Sequence, residues 1–187
     1  MKSAKSVVKS FFFINQHAKL CSDVPSQFHV AIGSLILGSY RVLSPRITNN
    51  ETLISILEAS LVEAYRKQIA PIFKLGLKLT ANPYGLLTMM SSSQFIDRHI
   101  WGEGYSFRRE QEGGTFNLIV TRCSYHHFFG LNGHPELTAI ICATDNAWMD
   151  EIQPQVPAVR VERPSLLSSG DDRCIFRFSR IERSVSH

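Results

Sequence analysis

Residues 105–121 read YSFRREQEGGTFNLIVT, and their period decides the fold class. Tyr105, Phe107 and Arg109 alternate with smaller or polar neighbours. Glu112-Gly113-Gly114 supplies a turn, and Phe116, Leu118 and Val120 then alternate with Asn117, Ile119 and Thr121. Side chains of a strand point to opposite faces in turn, so two alternating runs about a Gly-Gly turn predict an antiparallel hairpin.

Downstream of the hairpin, Val159 and Val161 predict a third strand, and Cys174, Phe176 and Phe178 a fourth, entered through a Gly170-Asp171-Asp172 turn. Between hairpin and third strand, Pro135 to Ile152 reads as a helix with proline at its favoured first position. Upstream the period is helical. Residues 3–20 read as an amphipathic helix, and 27–43 as a nearly all-apolar, central one. Asn49 and Asn50 offer a cap, and Leu53, Ile54, Leu57, Leu61 and Ala64 then recur at helical spacing to about Gln68. Pro71 should kink or end that helix. Pro83 can start another, with Leu86, Leu87, Met90 and Phe95 inward. Helices followed by an antiparallel meander holding one helix predict an α+β fold. The helical N-terminal half packs on a four-stranded antiparallel sheet with one inserted helix. Residues 1–187 are expected to form a single domain, mainly helical over 1–100, with the sheet and helix 135–152 in the remainder.

Composition sets the class. The 187 residues are 44% hydrophobic and 19% charged, an ordinary globular balance with room for a real core. The net charge of +4 comes without a basic block interleaved with aromatics, which argues against nucleic-acid binding. No apolar run is long and unbroken enough to predict a membrane span. Lys2, Lys5 and Lys9 before Phe11–Ile14 imitate a signal peptide only faintly, so a soluble cytoplasmic protein is expected. Cys21, Cys123, Cys142 and Cys174 show no Cys-x-x-Cys spacing and read as free thiols.

One carboxylate sits against the pattern. At about 100° per residue, Leu137, Ile141, Trp148 and Ile152 fall on one apolar arc of helix 135–152, and Asp145 falls on it too. Cys142 borders it at i,i+3. A core-facing Asp has to be paired, hydrogen-bonded or metal-bound, and such residues concentrate at functional sites. The bland reading is an Asp at the rim of the apolar face, satisfied by an Arg or a backbone N–H. A thiol beside a carboxylate has its pKa raised, so a thiolate at Cys142 would need a cation such as Arg122, Arg163 or Arg173. A divalent metal held by Cys142 and Asp145 would also remove the conflict, and Cys123 with His126 could share a helical face for one. Cys123 directly follows the second strand. It reads either as a nucleophile served by a nearby His or as a small buried hydrophobe.

From Phe116 to Phe178 the chain resembles the L-2-amino-thiazoline-4-carboxylic acid hydrolase family. The matching pieces are Arg122-Cys123, Gly133-His134-Pro135-Glu136-Leu137, Cys142-Ala143-Thr144-Asp145, Glu162-Arg163 and Gly170-Asp171-Asp172-Arg173-Cys174-Ile175-Phe176. The last element is also similar to that of vinyl-reductase-type ligand-binding domains, which have an α+β sandwich fold. The resemblance implies a small enzyme that opens a five-membered sulfur–nitrogen ring. Water adds to an electron-poor amidine carbon, and a proton goes to the departing atom. Asp145 would then be base toward the water, Cys142 or Cys123 a nucleophile or proton donor, and Arg163 the holder of a substrate carboxylate. Arg122, His126 and Trp148 are further candidate substrate contacts. Competing expectations use the same residues. One is a cyclase or isomerase of specialised metabolism with the acid in an apolar cavity. Another is a non-catalytic module for an apolar ligand, and a third is an interaction protein that buries residues 27–43 against a partner or a second copy. The expected partner is a small-molecule substrate, with a homo-oligomer allowed. No organic cofactor is expected.

Overall fold

The computed structural model describes residues 20, 22–155 and 159–181. The helix expected over 3–20 lies outside the described residues apart from Leu20, as does Cys21.

Capping sets where the long helices begin. Asp23 accepts from the Ser26 N–H at 2.8 Å and opens α1 (Val24–Leu43). Asn49 accepts from the Thr52 N–H at 2.9 Å and opens α2 (Asn50–Leu79). Asn82 accepts from the Gly85 N–H at 3.0 Å and opens α3 (Pro83–Ser92). α2 does not stop near Gln68 but continues through Pro71. Proline removes one helical hydrogen bond, and tertiary contacts hold the segments on both sides of it. Arg66 pairs with Asp150 at 2.9 Å before the proline and Lys74 with Glu151 at 3.0 Å after it.

A single turn at Gln94–Ile96 runs into a π-helical turn, Asp97–Trp101, and then into the sheet. The sheet comprises β1 (Ser106–Glu112), β2 (Thr115–Arg122), β3 (Val159–Ser165) and β4 (Cys174–Arg180). Its order is β1-β2-β4-β3, antiparallel throughout. The expected α+β architecture is present. Paired residues share a face, so Phe107, Val120 and Cys174 lie together, as do Arg109, Leu118 and Phe176, and Phe116 and Phe178. This face meets the helices. The opposite face carries the ion pairs Arg108–Glu110 and Arg160–Glu162 around a buried Ile119 and its partner Ile175.

Between β2 and β3 run α4 (Ser124–Leu131), a 3₁₀ turn at Pro135–Leu137, α5 (Thr138–Cys142), a second 3₁₀ turn at Ala143–Asp145, and α6 (Asn146–Gln155). The single helix expected over 135–152 is thus one helical path with two tightened turns. Leu137 and Ile152 of the expected arc are fully enclosed, together with Thr138, Ile140 and Ala147, and Thr144 is buried beside them. The path from Thr138 onward packs on α2. Ile141, Asp145 and Trp148 form the neighbouring stripe and are half-buried.

Two further expectations are corrected. α1 is not central. His29, Val30, Ser34, Ile36 and Leu37 are buried, but the other face is open to solvent. Met90 and Phe95 do not face inward. α3 ends at Ser92 and Ser93 caps a new turn, so Phe95 loses the helical phase that would have carried it into the core.

Two apolar cores result. The helical core joins α1, α4 and α5 through Leu37, Phe128, Phe129, Leu137 and Ile140. Gly33 permits the close approach, because a Cβ there would lie 2.8 Å from the Phe128 ring. The sheet core joins α2, α3, α6 and the sheet through Leu77, Leu87, Phe116, Ile152, Val159 and Phe178.

Candidate functional site

The two cores do not fuse. Tyr105, Cys123 and Ile141 are partly buried at the edge of the helical core, and Leu118, Trp148 and Phe176 at the edge of the sheet core. Asp145 stands in the seam between these margins. The 3₁₀ turn ending at Asp145 aims its carboxylate toward β3, where Arg163 leans over the Phe176 ring with its guanidinium carbon 5.1 Å from the centroid. Arg163 Nη1 lies 3.4 Å from Asp145 Oδ2 and donates to the Cys142 carbonyl at 2.7 Å. Trp148 Nε1 donates to Asp145 Oδ1 at 3.1 Å. Trp148 is itself fixed by stacking on Phe176 and Phe178.

Two properties make this pair unusual. The first is incomplete use of its hydrogen-bonding groups. Arg163 is 9% exposed, and its buried Nε has no partner among the described residues. A buried donor left unpaired costs about 1–3 kcal/mol. The second is the state of the carboxylate. Burial pushes the Asp145 carboxyl above the usual carboxylate range, against the opposing pull of Arg163 and Trp148. Yet 27% of its side chain remains accessible. The carboxylate is thus desolvated by its neighbours without being sealed off.

Around it the ionisable groups are held neutral. Burial, with a smaller contribution from Cys142 and against an opposing backbone N–H of His126, raises the Cys123 thiol to about 11. Cys142 and Cys174 are likewise raised by burial. The Tyr105 hydroxyl is in hydrogen-bonding reach of Cys123, and burial pushes it well above its ordinary value. Tyr65 of α2 is raised too, by burial and then by the Asp145 charge. Cys142 and Cys174 feel the Asp145 charge and Cys123 lies within electrostatic reach of Cys142, and each thiol, raised above its ordinary value, carries its proton at neutral pH.

The structure brings Asp145, Cys142, Trp148 and Arg163 together through Arg163 and Trp148, with Cys123 in electrostatic reach of Cys142. It does not bring Arg122. That guanidinium is exposed and donates to the Glu103 carbonyl. It lines a separate surface hollow of about 330 Å³ with Leu20, Ser22, Gly104, Ser124 and His127. The physical reason is position. Arg122 ends β2 opposite Ser106, past a bulge between Ser106 and Phe107 that leaves Thr121 of β2 without a cross-strand partner, so it leaves the helix-facing surface. His126 is half-buried on α4, and its Nδ1 has no partner among the described residues. Among the described residues no three His, Cys, Asp or Glu side chains are grouped to hold a metal ion. The place a cation would take beside Asp145 is filled by Arg163. Sequence reasoning missed Tyr105, Tyr65 and Phe176. Tyr105 was visible as an alternating strand residue, but its pairing with Cys123 depends on the β1–β2 register.

The L-2-amino-thiazoline-4-carboxylic acid hydrolase family is matched over residues 35–178. No curated protein matches the sequence. Among solved structures, a trafficking protein particle complex subunit 3 from Naegleria fowleri covalently bound to palmitic acid matches with a TM-score of 0.41 and 12% identity, over 80% of this chain and 95% of that chain.

Proposed function

This chain belongs to the L-2-amino-thiazoline-4-carboxylic acid hydrolase family, a hydrolase-like assignment from which we propose a small-molecule enzyme that opens a thiazoline-type or related heterocycle in the seam between its two cores. The observation that carries the reading is Asp145, a carboxyl raised by burial beside a guanidinium whose Nε is unused.

The chemistry follows from charge and protonation. A general base works best with a pKa near the operating pH, and burial moves Asp145 in that direction. Asp145 takes a proton from water as the oxygen adds to the amidine carbon. The tetrahedral carbon then releases sulfur as a thiol or nitrogen as an amine, and the departing atom needs a proton. The buried thiols of Cys142 and Cys123 hold protons and are suited to supply one. That protonation disfavours either of them as a thiolate nucleophile. Arg163 is the cation beside Asp145 that would hold a substrate carboxylate, and Trp148 and Phe176 offer flat apolar walls to a ring. No metal enters this scheme.

Incubating the purified protein with L-2-amino-thiazoline-4-carboxylate and larger ring analogues tests it, with ring loss followed by mass spectrometry. Ring opening that disappears in a folded Asp145→Asn variant supports the reading; undiminished turnover in that variant removes Asp145 from the mechanism. The neutral thiols also favour a second reading, isomerisation or cyclisation of a ring substrate. That reaction needs a proton moved but no water added, and it would leave product mass equal to substrate mass.

A further inference from the structure

α1 has two apolar faces, and the protein core uses one. Along the other run Val24, Phe28, Ala31, Leu35, Gly38 and Val42, all exposed, at successive spacings of 4, 3, 4, 3 and 4 residues. That is the seam spacing of a coiled coil. The four large side chains are 76%, 62%, 64% and 65% exposed in chain order. A solvated helix face ordinarily carries charge. Here Arg41, in the last turn, is the only Lys, Arg, Asp or Glu in the helix.

The order of sizes along this seam identifies what covers it. Reversed end for end about the level of Gly33, the seam matches itself. Val24 falls opposite Val42, Phe28 opposite Gly38, and Ala31 opposite Leu35. The two largest residues, Phe28 and Leu35, each meet a small one, as interdigitated packing requires, and the two valines meet each other at the ends. Gly38 has no atom within 4 Å of where its Cβ would be, so the space a ring would fill is open. A parallel pair would set Phe28 on Phe28 and Gly38 on Gly38, and an unrelated partner has no need of such a palindrome. We propose that α1 pairs antiparallel with α1 of a second copy across a two-fold axis, with Phe28 of each chain seated on Gly38 of the other. The exposed seam offers on the order of 500 Å² per copy, so the pair buries about 1,000 Å², the lower bound of a specific interface. Such a contact sits at the small, concentration-dependent end of specific dimers.

The test is sedimentation equilibrium of the full chain from about 1 to 200 µM. The weight-average mass should climb from 21.1 kDa toward twice that value. Gly38→Phe enters empty space in its own chain, so it should keep the melting temperature while holding the protein monomeric. Leu35→Glu should also give a monomer. Phe28→Ala combined with Gly38→Phe exchanges the large and small positions and should restore the dimer. A wild-type chain that stays monomeric at the highest concentration overturns the proposal. So does a dimer that both Gly38→Phe and Leu35→Glu leave intact, or one that the exchange variant fails to restore.

Discussion

Two Arg–Asp pairs bridge the helix-facing surface of the sheet to the helical layer, and they are built differently. Arg109 of β1 sets one nitrogen against both oxygens of Asp97, at 2.7 and 2.6 Å, and spends its Nε on the Ser91 carbonyl at 2.8 Å. Arg163 of β3 approaches Asp145 no closer than 3.4 Å and leaves its Nε unpaired. The two carboxylates have nearly equal exposure, 26% and 27%. Burial alone therefore does not separate them. The saturation of the guanidinium does. The first pair clamps the π-helical turn to the sheet and has little left to offer a ligand. The second keeps hydrogen-bonding capacity in reserve, beside a carboxyl with a raised affinity for protons.

Substitutions should expose that contrast, and the largest effect belongs to Asp145. Asp145→Asn is expected to lower turnover about 10²–10⁴-fold, the usual range for a lost acid–base group, while Asp97→Asn should leave turnover within a few-fold; steady-state rates on one ring substrate check both. Next comes Arg163→Met. It should raise KM more than it lowers kcat and destabilise the fold by about 1–3 kcal/mol, since Asp145 can take up a proton and escape an unpaired charge. Arg109→Met should cost about 1–2 kcal/mol in denaturant unfolding with KM unchanged. A shift in KM equal to that of Arg163→Met would erase the distinction between the pairs.

The smallest effect is a pH dependence. A carboxyl raised on folding binds its proton more tightly in the folded chain than in the unfolded one. Its contribution therefore falls as pH rises from the ordinary carboxylate value of 3.8 through the raised one. Wild-type unfolding free energy should decline across that window relative to Asp145→Asn. Equal pH profiles for the two would mean that the carboxyl is not raised. Trp148→Phe, which deletes the indole N–H bond to Oδ1, should extend the wild-type decline to higher pH.

Much of this arrangement was legible in the sequence, and the reasons are local. Alternation through Phe107 and Phe116–Val120, the Gly113-Gly114 turn, and the Asn49 and Pro83 helix starts act over a few residues, and each element appears where its pattern sets it. The helical phase of Asp145 pointed inward, and the side chain lies in the seam. What was not legible depended on distant contacts. Pro71 reads as a stop until α6 is placed beside it with Asp150 and Glu151. Arg122 looks like a site residue from its motif, and a bulge at Thr121 of β2 decides otherwise. Residues 27–43 read as central because both faces are apolar, and no local signal says which of them meets the core.

The account turns on the protonation of one side chain, which carbon-detected NMR of the Asp145 carboxyl measures directly in wild type and in Arg163→Met. The structure predicts titration above the usual Asp value in wild type, and higher still once the guanidinium is removed. An Asp145 that titrates at or below 3.8 in wild type, unmoved by loss of Arg163, would contradict it.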